Sequence, residues 1–477
     1  MPVPWTLRAF AREHPWCTTT AVLVLVSSVL VVWARTRPSY DAYGWLVWGH
    51  QTLRLALDLG GAPSWKPLPY LFTVPFALAG HYELWLWMIT VTAVSLAGAL
   101  FAGRIAYRLT LARTALRYAA LAGAVFAGAA VLGLEDYMHY ILSAQSDPMI
   151  VTFCLAAIDA HLGGRRRLAF ALGVVASLGR PEVWPFLGLY SLWAWLRIPS
   201  MRRLIIGGLA LIAFMWFGIP WITNNRPLVS EQLALGSPRE LRQNQITGTI
   251  GRFTELEYLP VWLAALFAVV VAVLRRDRLV LALAAGCVGW VIVETAFALH
   301  GWPGLPRYMF EAAALAAVLA GLAVGLVLAQ APRIRRGLPR WAGIPVVVVL
   351  AGTLVPGAVA RLRAEHLDLR HERARTHEIA MLQTTINVLG GYQHIRNCGE
   401  PVTNVEYVST LAWFVQLDVG FVGHRPDYEL HQTYPIVLFT PLPKGGWTVL
   451  PWHTRGSQVA RCRGLNAAYT GVLVHRH

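Results

Sequence analysis

Several charged residues stand where apolar sequence makes charge costly, and their types suggest one chemistry. In "ARTRPSYDAYGWLVWGHQ", Asp41 sits among Tyr40, Tyr43, Trp45 and Trp48 just after a long apolar run. An aspartate there is either a helix N-cap or a general base for a hydroxyl. "LGRPEVWPF" places Arg180 and Glu182 between two apolar runs, with Pro181 breaking the helix. Each ionised group at mid-membrane costs about 2.5–3.5 kcal/mol on insertion scales, so such residues face a partner or a cavity. The bland reading is a mutual ion pair; the chemical one is a pocket in which Arg180 holds an anion. "GWPGLPRYMFEA" carries Arg307 with Tyr308 and, one turn on, Glu311. An Arg307–Glu311 pair would suffice structurally, yet arginine's planar fork also matches phosphate oxygens. Lys66 in "SWKPLP" is a further cation at the same level, with snorkelling to headgroups as its plainer use. Glu135, Asp136 and Asp147 in "EDYMHYILSAQSD" offer ligands for a divalent cation, which the sequence permits but does not require, with solvated loop acids as the plainer reading. Glu294 is a weaker candidate for the same cavity, and His50, His81 and His139 stand alone in sequence.

These residues need a membrane to position them. The chain is 56% hydrophobic and 14% charged with mean hydropathy +0.49, whereas soluble chains carry about 25% charged residues. Apolar runs fall at 18–34, 83–103, 118–134, 148–163, 168–179, 183–196, 204–223, 261–274, 279–299, 308–330 and 344–360. They predict an all-α polytopic membrane protein of about 11 transmembrane helices, several of them shorter than the roughly 20 residues of a full crossing. Despite the formal charge of +16, the basic residues form no nucleic-acid patch. Arg8 and Arg12, Arg104 to Arg117, Arg165 to Arg167, Arg197 to Arg203, Arg275 to Arg278 and Arg333 to Arg340 occupy alternate short loops. The positive-inside rule then predicts a cytoplasmic N-terminus, an uncleaved first span and an extracytoplasmic C-terminal segment.

The outer side holds the richer sequence. Its loops are 35–82, 135–147 and 224–260, the first with an amphipathic stretch "WLVWGHQTLRLALDL". After a membrane domain at 1–361, residues 362–477 read as a small α/β domain. It opens with the helix "AEHLDLRHERARTHEIAMLQTTINVL", ended by Gly390 and Gly391. The helix's "HLDLRHERARTH" reads as a solvated face. The β-like runs "PVTNVEY", "VGFVGH", "PIVLFTP", "GWTVLPW" and "YTGVLV" follow. Cys398 and Cys462 are the two cysteines of this segment, where a disulfide persists. Cys17, Cys154 and Cys287 lie in or beside spans as small apolar residues, and no pair has zinc-ligand spacing.

The acid of the first outer loop, the "KPL" after it, "SDP" before the fourth span, "RPE" near the fifth and sixth and "PRY" before a late span together resemble the GT-C glycosyltransferases. The style is similar to the bacterial branch of protein mannosyltransferases, aminoarabinose transferases and RgtA/B/C/D-like enzymes, in an arginine-rich, actinobacterial form. The resemblance covers roughly residues 18–330. It implies an inverting transfer on the extracytoplasmic face from a polyprenyl-phosphate sugar, mannose or arabinofuranose, to a cell-envelope glycan or glycolipid. It also implies Asp41 as base, a second acid among Glu135, Asp136 and Asp147, and Arg180, Arg307 and Lys66 around the lipid phosphate. Glu182, Tyr308 and Glu311 would support them. The first loop has a single acid and "KPLP" in place of "KPP", departures that argue against protein O-mannosylation. A multi-pass transporter or lipid flippase would more often show repeated halves, broken spans in corresponding positions and charges near the midplane; here the charges favour the outer edge and a separate module follows. A non-catalytic envelope scaffold would depend on 362–477 and not on Asp41.

Overall fold

The computed structural model describes residues 13–61, 63–228, 231, 235, 240–241, 244–334, 344–431, 433–443, 445–465, 467–469 and 474–476. Arg8, Arg12, Arg335, Arg336, Arg340 and Lys444 lie outside the described residues.

All eleven apolar runs are helical. They form α1 (Pro15–Ala34), then, after the first outer loop, α4 (Glu83–Thr114), α5 (Arg117–Leu132), α7 (Asp147–Leu162), α8 (Arg166–Ser177) and α9 (Trp184–Arg197). The seventh run is α10 (Arg202–Ala213), a π turn at Phe214–Gly218 and α11 (Ile219–Asn224). Then come α13 (Leu259–Arg275), α14 (Arg278–Leu299), α15 (Phe310–Ile334) and α16 (Ile344–Val388). The loops expected on the outer side themselves contain helices: α2 (Tyr40–Leu53) and α3 (Pro67–Ala77) in 35–82, α6 (Tyr137–Leu142) in 135–147, α12 (Gln245–Glu255) in 224–260.

Helix number and crossing number differ. Among the described residues six helices are long and apolar enough to cross a membrane: Pro15–Ala34, Gly80–Thr114, Pro199–Asn224, Arg278–Leu299, Pro306–Ala329 and Ile344–Val388. A seventh results if α12 and α13, which meet at 99°, count as one bent span. The other apolar helices are shorter than a full crossing. At the centre lies α15, with 89% of its most apolar stretch buried. Gly123 of α5 and Gly321 of α15 let these two backbones touch, since a Cβ on either would run into the other's carbonyl oxygen.

The polar half of α16 is solvated on one side, where His366, Arg370, His371 and His377 are exposed, and on the other forms a seam that clamps the loops after α1 and α5. The helix runs unbroken through residue 362 for roughly 68 Å at 1.5 Å per residue. Arg373 donates to the carbonyls of Ala34 (2.8 Å) and Trp33 (3.0 Å), satisfying the C-terminal end of α1. Arg375 donates to those of Arg37 and Pro38. Arg361 reaches Glu135 at 2.6 Å, and Asp368 meets His139 at 2.8 Å. The helix stops at Val388, and Gly390 takes the left-handed conformation (φ 99°) that a non-glycine residue resists.

Beyond it, α17 (Gly391–Cys398), β1 (Glu400–Val402), α18 (Val408–Val415), β2 (Ile436–Pro441), β3 (Trp447–Trp452), β4 (Ala467–Tyr469) and β5 (Val474–Arg476) form a small α/β unit. Its sheet runs β1-β2-β3-β4-β5, parallel between β1 and β2 and antiparallel after that. "PIVLFTP" and "GWTVLPW" are strands as expected. "VGFVGH" is instead a 3-10 turn at Val419–Phe421 with a single bridge, Gly423 to Val402. "PVTNVEY" keeps a strand only at its start, and "YTGVLV" falls partly on residues 470–473, outside the described set. Cys398 and Cys462 form a disulfide that ties α17 to the loop before β4.

Candidate active site

Five helix starts bring five of the sequence candidates to one place. Asp41 lies in the first turn of α2, Lys66 directly precedes α3, and Asp147 opens α7. Arg180 precedes the 3-10 turn Pro181–Val183 that leads into α9, and Arg307 lies in the turn Pro306–Met309 that leads into α15. Pro67, Pro148, Pro181 and Pro306 stand at or next to these starts, where a missing N–H costs nothing. Leu68 N donates to Leu178 O at 2.9 Å, tying the Lys66 loop to the Arg180 loop.

The charges form two layers. In the inner layer Arg180 pairs directly with Asp147 and, at 3.0 Å, with Glu182. Asp147 and Glu182 are fully buried and Arg180 is 3% exposed, so the group is sealed on its inner side. The Arg180 guanidinium also lies 3.8 Å from the centre of the Tyr308 ring. Lys66 Nζ joins the same Asp147 oxygen at 3.5 Å. Burial, opposed by the Asp147 charge, pulls the Lys66 ammonium below the usual lysine range. In the outer layer Arg307 Nη2 lies 4.0 Å from Asp41 Oδ2, and these side chains keep 13% and 19% exposure. Asp41 is thus the carboxylate of the cluster that an outside molecule reaches.

The cations are not fully used. Lys66 Nζ, Arg180 Nε and Arg307 Nε are buried, and none finds a hydrogen-bond acceptor among the described residues. A buried charged donor without an acceptor is costly, so this centre suits an incoming anion rich in acceptor oxygens. Beside it opens an apolar groove of about 530 Å³ between α7, α8, α9, α14 and α15. It runs from Glu311 and Trp290 past Leu155, Gly286 and Leu315 to His161.

Two simpler expectations fail. Asp41 is not the N-cap of α2, because Ser39 holds that position. Arg307 does not pair with Glu311; it faces Asp41 and Tyr140, and both Glu311 oxygens are buried without a partner among the described residues. Glu294, also fully buried, packs on the same inner side as Glu182.

The second-loop acids separate. Asp147 enters the cation cluster, whereas Glu135 is held by Arg361, and Asp136 adopts a left-handed backbone ahead of α6. Burial and the neighbouring Glu135 charge raise the Asp136 carboxyl above its usual range. Glu135, Asp136 and Asp147 thus do not form a shared cation site. Ligand atoms within 4.8 Å of one another come instead from His139, Asp368 and Glu372. Glu372 is already bound by Arg375 at 2.6 Å, which leaves that trio poorly suited to a metal.

The sequence reading missed three residues. Tyr140 lies under Arg307, at 5.4 Å from ring centre to guanidinium. Glu83, fully buried, holds His50 at 2.7 Å; its signal was a glutamate at the head of an apolar run. Asp159, buried at the far end of α7, gathers Arg104 (3.3 Å), Arg108 (3.2 Å) and Arg165 (3.9 Å), and its signal was an acid inside an apolar run.

No protein-family model matches the chain, and no curated protein matches it by sequence. Among solved structures it is similar to ArnT from Cupriavidus metallidurans bound to undecaprenyl phosphate. That likeness has a TM-score of 0.50 at 14% identity and covers 90% of this chain and 93% of the other. At such identity it shows the fold alone: this chain shares the overall architecture of that protein, largely helical with several apolar helices and a small sheet.

Proposed function

We propose that the protein is a membrane glycosyltransferase that moves a sugar from a polyprenyl-phosphate donor to a cell-envelope glycan or glycolipid. The observation that carries this reading is the set of unused donors on Lys66, Arg180 and Arg307 at the head of an apolar groove. A polyprenyl phosphate is an anion with a long apolar tail, and this pair of features complements both parts. The structural neighbour's bound undecaprenyl phosphate points the same way.

In this reading the tail lies in the groove and the phosphate oxygens accept from the three cations. Asp41 takes the proton of the acceptor hydroxyl as its oxygen attacks the anomeric carbon from the side opposite the phosphate. The bond from that carbon to the phosphate oxygen breaks, and the electron pair leaves with the polyprenyl phosphate, held by the same cations. Configuration inverts. Preorganised charge and positioning supply most of the rate. Mannose or arabinofuranose is the sugar, the reaction faces the extracytoplasmic side, and the N-terminus is cytoplasmic. Residues 1–361 form the catalytic membrane domain and 362–477 its outer module, in the plasma membrane of the cell.

The test is transfer from radiolabelled polyprenyl-phosphate mannose and arabinofuranose, in parallel, to a crude envelope-glycolipid acceptor. Purified wild type and Asp41→Asn are compared in lipid nanodiscs. Label should move with wild type and fall at least about a hundredfold with the variant. Turnover of Asp41→Asn within a few-fold of wild type would remove the base assignment. No transfer, together with no binding of undecaprenyl phosphate, would favour a transporter or a scaffold.

A further inference from the structure

A second cavity, of about 640 Å³, lies where α2 meets the C-terminal module. One wall is the far end of α2, with His50 and Gln51; the others carry Gln383 and Asn387 of α16, Trp413 of α18 and Asp418. Two features mark it as built for a ligand. Glu83, fully buried, fixes His50 at 2.7 Å, although the ring stays 34% exposed on the cavity side. Gln51 is 4% exposed, and its Oε1 accepts from Asp58 N at 3.2 Å, but its Nε2 has no partner among the described residues. A buried amide with an unused donor is costly unless something else accepts from it.

The composition of the wall names the class of ligand. Planar amides donate and accept in one group, as hydroxyl-rich molecules require. Trp413 is half-buried, its ring 5.2 Å from that of His50, and its apolar surface suits the C–H face of a sugar ring. Arg54, Arg396 and Asp418 also line it, so charges of both signs face the cavity. Its position fits as well. His50 follows Asp41 by nine residues on one helix, roughly 13 Å at 1.5 Å per residue.

Resting on the reading above, we infer that this cavity binds an internal segment of the acceptor's oligosaccharide chain while its terminal unit reaches Asp41. The outer module is then part of acceptor recognition, and α2 is the ruler between the two sites.

The experiment uses the full chain in nanodiscs and two probes, a trimannoside and a tri-arabinofuranoside, observed by saturation-transfer NMR without donor. Gln383 and Asn387 are on the exposed face of α16, so Gln383→Ala and Asn387→Ala leave packing intact. At least one trisaccharide should bind wild type, and each variant should weaken it about five-fold, the net value of one hydrogen bond. In the transfer assay the same variants should raise the acceptor KM and leave kcat unchanged. Failure of both trisaccharides to bind a protein that still transfers sugar overturns this inference alone. Binding that the variants do not change places the sugar elsewhere and overturns it too. Trisaccharide binding in a protein that shows no transfer from any donor leaves the cavity standing and removes the enzyme reading.

Discussion

Asp147 and Arg180, 33 residues apart in sequence, meet as an ion pair inside the protein, and Lys66 reaches the same carboxylate oxygen at 3.5 Å. The carboxylate therefore sits against two of the cations that the proposed function assigns to the phosphate, bonding Arg180 through Nη2 and leaving its Nε free among the described residues. It offsets the charge of two buried cations, and under the proposed function it competes with the lipid phosphate for them.

Asp147→Asn should separate these effects. Removing one partner of a buried pair costs roughly 3–5 kcal/mol, so the melting temperature in nanodiscs should fall. Undecaprenyl phosphate should then raise the variant's melting temperature by more than it raises that of wild type, because a competitor has gone. Equal shifts in both proteins would mean that Asp147 and the phosphate do not share donors.

The groove gives a second expectation. A Cβ on Gly286 would meet only Leu315 Cδ1 at 3.7 Å, so a large side chain placed there grows into the groove and not into the packing. Gly286→Trp should raise the KM for a polyprenyl donor about tenfold or more, the loss expected when a few methylenes are excluded from apolar surface. The melting temperature and the affinity for a short-chain donor should change little. An unchanged KM for the long donor would place the tail elsewhere.

Much of this site was legible because chemistry in a membrane is expensive. Arg180, Arg307, Asp147 and Lys66 stood out as charges beside apolar runs, and they do converge. Of their partners only Glu182 was legible, as the near neighbour that does pair with Arg180. The sequence offered Glu311 to Arg307 by helical spacing, but the turn at Pro306–Met309 aims Arg307 at Asp41, from a helix more than two hundred residues earlier. Local period says which residues share a face and nothing about which distant loop that face will meet. The reading of the polar half of α16 as a solvated face held for His366, Arg370, His371 and His377 and failed on its other side for the same reason. Arg373 and Arg375 read as a solvated stripe, yet their acceptors are backbone carbonyls of residues 33, 34, 37 and 38, which carry no side-chain signal. "VGFVGH" has the alternation of a strand but only one backbone bridge to use it on.

The link between His139 and Asp368 makes stability depend on pH. Burial alone would lower the imidazole's pKa, but the hydrogen bond and charge of Asp368, with Glu372 and Asp136 nearby, raise it above the ordinary value. A folded-state pKa above the unfolded one stabilises fully below the unfolded value of about 6.5 and loses that contribution as pH rises through the folded value. The melting temperature should therefore decline as pH rises above about 6.5, through the raised folded-state value, and His139→Gln should flatten this part of the profile. A slope unaltered by the substitution would assign it to other groups.

The disulfide poses the last question, which is what keeps a small sheet at the end of a long helix folded. Cys398 and Cys462 are separated by 64 residues, and the loop between them contains β1, α18, β2 and β3. Constraining an unfolded loop of that length is worth about 4 kcal/mol in the chain-entropy account, a large fraction of the stability of a small domain. Both sulfurs are nearly buried, so they also pack as apolar atoms in the core and their loss leaves small gaps. Cys398→Ala with Cys462→Ala should therefore open residues 400–465 to protease at a temperature where wild type resists. The membrane helices, held by their own packing through α15, should keep their protection. If the acceptor cavity uses Trp413 and Asp418 as inferred, the same double variant should lose trisaccharide binding while it still binds undecaprenyl phosphate. Loss of both together would show that the outer module braces the catalytic cluster through α16, and retention of both would show that the sheet stands without its covalent tie.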